Sequence, residues 1–255
     1  MQHNIVAVVN QKGGVGKTTS TVNVAAQLAS AAKPVLVVDL DPQGNATSGL
    51  GIPKESIGSG TYDVLCHGAS LHEAVQETNT EGLYVLPANA NLAGAEVELV
   101  AAERREFKLQ AALANGTYAY VLIDCPPSLG LLTVNALTAA QSVLIPVQAE
   151  YYALEGLGQL LNTIQRVKQT TNPPLDLLGV AMTMYDKRTS LSEQVMSEIK
   201  THFGAKLFKT AIPRNVRLAE APSYGQTIFE HDKWSKGARA YKALAKEVAK
   251  RLGDG

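Results

Sequence analysis

"VVNQKGGVGKTTSTVN", residues 8–23, runs from a β-branched stretch through Gly13, Gly14 and Gly16 into Lys17-Thr18 and then into a segment of helical character. Glycines let the backbone curl so that consecutive N–H groups converge on one anion, and a helix N-terminus behind them adds a favourable dipole. Strand, glycine loop, Lys-Thr and helix in that order read as a phosphate-binding loop over Gly13, Gly14, Val15 and Gly16. In such a loop Lys17 would pair with the β- and γ-phosphates of a nucleotide. Thr18 would ligate Mg²⁺ through its hydroxyl, and Thr19 would reach the α-phosphate. The usual pattern opens with a glycine where this chain has Gln11, and a second lysine, Lys12, follows. The bland alternatives are a glycine-rich turn that binds nothing and, for Lys12, a solvated residue touching only its own nucleotide.

Outward from the loop, short apolar runs alternate with longer segments of helical period. Strands are expected at 4–10, 34–40, 83–88, 118–125, 142–147, 175–183 and 206–213, and helices at 17–32, 91–114, 129–140, 153–171, 190–203 and 238–252. Most of the strands are apolar throughout, as strands covered on both faces are. This alternation predicts an α/β fold of the P-loop NTPase type: a mostly parallel twisted sheet with helices on both faces, one domain over 1–255. The stretch 43–80, rich in Gly, Ser and Thr, reads as loops and short helices.

Ligands of such sheets bind beyond the carboxyl ends of the strands. Two further strand ends carry acids. "VVDLDPQGN" (37–45) places Asp39 and Asp41 before the next loop, where Pro42 ends the strand. Asp41 would project toward the phosphates and orient the attacking water, or else cap the next short helix. Asp39 would hold either the Mg²⁺ shell or the loop. "YVLIDCPPS" (120–128) closes an apolar strand on Asp124, the Walker B arrangement, whose carboxylate holds Mg²⁺, often through water.

Composition removes other classes. With 45% hydrophobic residues among 255, the chain can bury one large core. No apolar run approaches the roughly 18 residues of a membrane span, so a cytoplasmic protein is expected. Cys66 and Cys125 are too few for a disulfide framework or a cluster, and His3, His67, His72, His202 and His231 form no ligand spacing. The net charge is zero but graded: from Met184 onward 14 Lys/Arg stand against 8 Asp/Glu, a surplus of six that the remainder mirrors as a deficit.

"KGGVGKTT" (12–19), "VLVVDLDPQGNATSGLG" (35–51), "VLIDCPPSLGLLTVNAL" (121–137), "PVQAEYYALEGL" (146–157) and "IPRNVRLAEAPSYG" (212–225) together resemble the ParA/Soj family of chromosome- and plasmid-partition ATPases. That family stands with MinD in the deviant Walker A group, and the likeness runs from residue 4 to about 250. The resemblance implies an ATPase that forms a homodimer with two ATPs sandwiched between subunits, Lys12 reaching the partner's nucleotide, and because lysine is a flexible point charge slow turnover is expected. Its adenine would lie against Pro213 and Asn215. It implies nonspecific double-stranded DNA binding, with Arg188 and Arg217 at matching positions, and a ParB/Spo0J-type centromere-binding partner that stimulates hydrolysis. Lys200, Lys233, Lys236 and Lys250 extend the basic surface without a recognition helix, so contacts would be to phosphates. Location on the nucleoid follows. The principal rival is a MinD-like, membrane-associated positioner of cell division. Tyr241, Leu244, Val248 and Leu252 offer it a thin apolar stripe, but the same spacing suits a helix packed on the core, and no stable membrane association is expected. A metabolic P-loop synthetase or reductase component is the second rival.

Overall fold

The computed structural model describes residues 4–150 and 155–254. Residues 151–154, which belong to the family-like segment 146–157 and to the start of the helix expected at 153–171, lie outside the described residues, as does His3. The strands are β1 Asn4–Val8, β2 Val35–Asp39, β3 Gln76–Glu77, β4 Leu83–Leu86, β5 Tyr120–Asp124, β6 Ser142–Gln148 and β7 Asp176–Thr183. They form one sheet in the order β3-β4-β2-β5-β1-β6-β7, parallel throughout except for the β3/β4 edge. The helices of nine or more residues are labelled α1 Lys17–Leu28, α2 Leu131–Ala139, α3 Glu155–Thr170, α4 Ser190–Phe203 and α5 Lys236–Arg251.

Period-2 alternation divides each central strand between two cores. Ile5, Ala7, Leu36, Val38, Val121 and Ile123 pack toward Leu132 and Ala136 of α2, Leu160 of α3 and Ile199 of α4. Val6, Val8, Val35, Val37, Tyr120 and Leu122 pack toward Val22 and Val24 of α1 and Tyr241, Leu244 and Val248 of α5. The apolar stripe of the last helix is therefore consumed by the core. No helix among the described residues is long and apolar enough to cross a membrane.

Three expectations need correction. Residues 206–213 form no strand: Phe208 and Ile212 donate to Val180 and Met182 of β7, but the N–H groups of Lys209 and Thr210 between them go to the Glu247 carboxylate, both at 2.9 Å. A ladder cannot continue through residues whose donors are taken by a side chain. The helix expected at 91–114 breaks into short pieces, with Arg104 in the left-handed region at φ 50° before the turn Arg105–Phe107 and the helix Lys108–Leu113. β3 is a two-residue polar edge that no apolar pattern announces. The stretch 43–80 is, as expected, loops and short helices apart from β3.

Register sets the site. Val8 of β1 and Asp39 of β2 are both Cα partners of Asp124 in β5. The glycine loop and both strand-end acids thus leave the same edge of three adjacent central strands.

Candidate functional site

The loop follows β1 directly. Gly14 and Gly16 have φ of 73° and 86°, backbone that a side chain would strain, and Gly16 is the N-cap of α1. Among the described residues the N–H groups of Gly13 through Thr19 find no protein acceptor, so the loop presents a row of open donors. Thr183, at the end of β7, braces the loop by donating its hydroxyl to the Val15 carbonyl at 2.7 Å.

The two lysines point apart. Lys17 is buried, and among the described residues its ammonium donates only to the Lys12 carbonyl, at 3.1 Å. Burial lowers its pKa, opposed by the nearby Asp124 and Asp41. Lys12 turns outward, its backbone fixed by the Asn10 carboxamide at 3.0 Å and its ammonium paired with Glu150 at 2.6 Å. Both side chains of that pair keep about two-fifths of their surface, 41% and 44%. Glu150 also accepts from the Gln148 amide.

Asp124 is fully buried and accepts from Thr18 Oγ1 at 2.7 Å and Thr21 Oγ1 at 3.2 Å. Burial, then the charge of Asp39, pushes its carboxyl up, against those hydroxyls and the Lys17 ammonium. Asp39 is also fully buried and raised, chiefly by burial. Its oxygens are spent on the loop: one accepts from the Asp41 N–H at 3.1 Å, the other from the Thr47 N–H and hydroxyl at 2.8 and 2.7 Å. Of the two roles expected for Asp39, the geometry supports holding the loop. Asp41 accepts from the Gln43 N–H at 2.9 Å through Oδ1, an Asx turn, while Gly44 rather than Asp41 is the N-cap of Asn45–Gly49. Asp41 lines the cleft, and its second oxygen has no hydrogen-bond partner among the described residues.

That cleft, about 470 Å³, is lined by Gly13, Gly14, Gly16, Lys17, Thr18 and Thr19 with Asp41, Gln43, Pro127 and Met184. A neighbouring pocket of about 210 Å³ shares Gly16, Thr19 and Met184 with it and adds Pro213, Asn215, Leu218 and Tyr241. The two residues expected against an adenine ring thus share a pocket with Gly16 and Thr19, beside the main cleft. Thr21, Thr47, Glu150 and Thr183 were missed from sequence. Thr183 had a usable signal, its place at the carboxyl end of a central-sheet strand.

The basic residues fall into separate groups. Arg188 forks onto Asp186, its closest contact 2.6 Å, and Arg217 pairs with Glu220 at 2.9 Å and approaches Asp232 at 3.7 Å. Lys200 and Lys250 line one groove with Lys209 and Arg251. Lys233 and Lys236 stand at the start of α5. Lys200, Lys233, Lys236 and Lys250 have no carboxylate partner among the described residues.

A family model described as an AAA domain matches residues 3–177. The chain is similar to the sporulation initiation inhibitor protein Soj of Bacillus subtilis (strain 168), 56% identical over 247 residues covering 96% of this chain and 98% of that protein. It is 50% identical to the chromosome partitioning protein ParA of Caulobacter vibrioides (strain NA1000 / CB15N), over 98% of this chain and 95% of that one. Among solved structures, it superposes on the cobyrinic acid a,c-diamide synthase of Mycobacterium smegmatis with bound ATP analog and magnesium at a TM-score of 0.84. That structure is 40% identical and covers 96% of this chain and 93% of its own.

Proposed function

The chain belongs to the ParA/Soj family of chromosome-partition proteins, and from that membership we propose an ATP- and Mg²⁺-dependent ATPase that dimerises around two nucleotides and binds duplex DNA in that state. In this reading it segregates chromosomal or plasmid DNA on the nucleoid, in the cytoplasm, with a ParB/Spo0J-type protein that stimulates hydrolysis. The observation that carries it is the division of two lysines within one loop: Lys17 turned into the cleft and Lys12 turned out of it onto Glu150. A lysine at the rim serves a neighbouring subunit's nucleotide more readily than its own.

The residues present suit the ligands. Loop N–H groups without acceptors and a buried ammonium without a carboxylate partner, both among the described residues, ask for an anion, and the Thr18–Asp124 pair is a hydroxyl–carboxylate set of the kind that holds Mg²⁺. Bound Mg²⁺ would supply neutralisation of the charge on the transferred phosphoryl group. Thr18, and Asp124 through water, would hold the metal. Lys17 would exchange the Lys12 carbonyl for phosphate oxygens, and Thr19 would add its hydroxyl beside them. Asp41, with one carboxylate oxygen unpartnered among the described residues, would orient the attacking water, and Pro213 and Asn215 would flank the base. Lys12 from the other subunit would stabilise developing charge as an arginine finger does, which couples hydrolysis to pairing. As a flexible point charge it predicts slow turnover.

Each monomer would offer DNA only a few phosphate contacts, binding on the order of 10⁻⁴ to 10⁻⁶ M. Pairing two such surfaces makes the second contact intramolecular and raises avidity by ~10²-fold or more. Titration of duplex DNA with ATP, with ADP and without nucleotide, with oligomeric state followed alongside, tests the proposal. ATP-selective binding by a dimer supports it, whereas equal binding in all three states removes it. Hydrolysis without an added acceptor separates this reading from a synthase of the kind named for the Mycobacterium smegmatis protein.

A further inference from the structure

Trp234, the single tryptophan of the chain, is 76% exposed on the turn between the helix Ile228–Asp232 and α5. The turn that carries it is fixed. Asp232 accepts from the Trp234 N–H at 3.1 Å, and Ser235 caps α5 by accepting from the Ala238 N–H at 3.0 Å. Gly237 lies so close to α5's neighbour that a Cβ there would come within 2.7 Å of the Leu218 side chain. The backbone beneath the indole is thus braced, and covering the ring restricts only its two side-chain torsions.

Its surroundings select the partner. The Lys233 ammonium lies over the indole, 5.4 Å from the ring centroid. Lys233 and Lys236 have no carboxylate partner among the described residues, while the nearby acids Glu220 and Asp232 are engaged by Arg217. A flat apolar ring rimmed by unmatched cations fits a polyanion that also carries flat apolar surface. A second copy of the same face would set like charge against like. Duplex DNA offers both parts: phosphates for the lysines, and base or deoxyribose edges for the ring.

We propose that Trp234 is an aromatic DNA contact, placing its indole against the duplex while Lys233 and Lys236 hold the flanking phosphates. This rests on the DNA-binding reading above and adds to it an apolar contact that charge counting does not supply.

The test uses the full chain with Mg-ATP and a fluorescently labelled duplex, reading label anisotropy and Trp234 emission together. Expected are a change in Trp234 emission on adding duplex and an affinity loss of about fivefold or more for Trp234→Ala, with Trp234→Phe retaining most of the affinity. The slope of log affinity against log salt stays at the wild-type value in Trp234→Ala, because no charge is removed, and becomes shallower in Lys236→Ala. Nucleotide affinity, the control for folding, is unchanged in all three. Wild-type duplex affinity in Trp234→Ala overturns this inference and leaves ATP-dependent DNA binding standing. Absence of ATP-dependent duplex binding by the wild type overturns both. An emission change with ATP alone and none with duplex assigns the face to a second copy. A change with phosphatidylglycerol vesicles and none with duplex assigns it to a membrane surface. Either result overturns the DNA contact.

Discussion

At Lys12 two partners compete: the Glu150 carboxylate of the same chain and, in the proposed dimer, the polyphosphate of another. An exposed ion pair contributes little, so Glu150 yields its lysine to a more highly charged partner at small cost. Glu150→Gln should therefore raise ATP-dependent dimerisation modestly, by at most about fivefold, read by analytical ultracentrifugation at low protein concentration. Lys12→Ala should abolish hydrolysis while retaining most nucleotide affinity, and unchanged turnover would remove the second lysine from the chemistry. Asp41→Ala should leave ATP binding intact and slow turnover by about 10²-fold or more, trapping the dimer on DNA. Phosphate-release and DNA-dissociation rates of that variant check it. That Lys17, Thr18 and Asp41 line one cleft, with Asp124 bonded to Thr18, was legible because residue type and spacing put them in the glycine loop and at strand ends, whereas a role for Lys12 came only with the family resemblance. Glu150 was not, because a lone acid 138 positions from its partner has no local pattern.

At the scale of elements, β2 and β5 bring two fully buried carboxyls to paired positions. Both are raised, so the sign of the linkage is that of a group whose ionisation opposes folding: stability is fully present below the unfolded value near ~4 and is lost as pH rises through the folded values. The nucleotide-free protein should melt at lower temperature at about pH 8 than at about pH 5.5, and Asp124→Asn should flatten that difference. Calorimetry of both proteins across the range decides it. Asp176, Glu220 and Asp254, held down by Lys206, Arg217 and Lys33, act in the opposite sense only in acid, outside this window. The central strands were legible because burial on both faces demands unbroken apolar runs. The segment 206–213 looked like one of them, but two donors in its middle, the N–H groups of Lys209 and Thr210, are claimed by Glu247 of α5, 38 and 37 residues on. Long-range competition for backbone donors leaves no trace in a local pattern.

Across the whole molecule, zero net charge conceals a basic C-terminal portion, and the structure divides its cations by engagement. Arg188 and Arg217 already hold acids, whereas Lys200 and Lys250 hold none among the described residues. Lys250→Ala should weaken duplex binding and reduce the salt slope by about one for each phosphate the lysine neutralises, measured by titration between about 50 and 200 mM salt. Arg217→Ala should change the slope less, since a guanidinium already paired with Glu220 neutralises less phosphate charge. The grouping of these side chains was beyond sequence, which supplied only their number. The shared edge of β1, β5 and β2 bears on how such a machine can move. Paired on both sides and covered on both faces, β5 and its neighbours should exchange their amides slowly. Deuterium uptake that responds to nucleotide should then appear in the glycine loop and in residues 41–49, with the strands beneath them silent. The clock of this protein would run in its loops, against a frame that keeps the same time in every state.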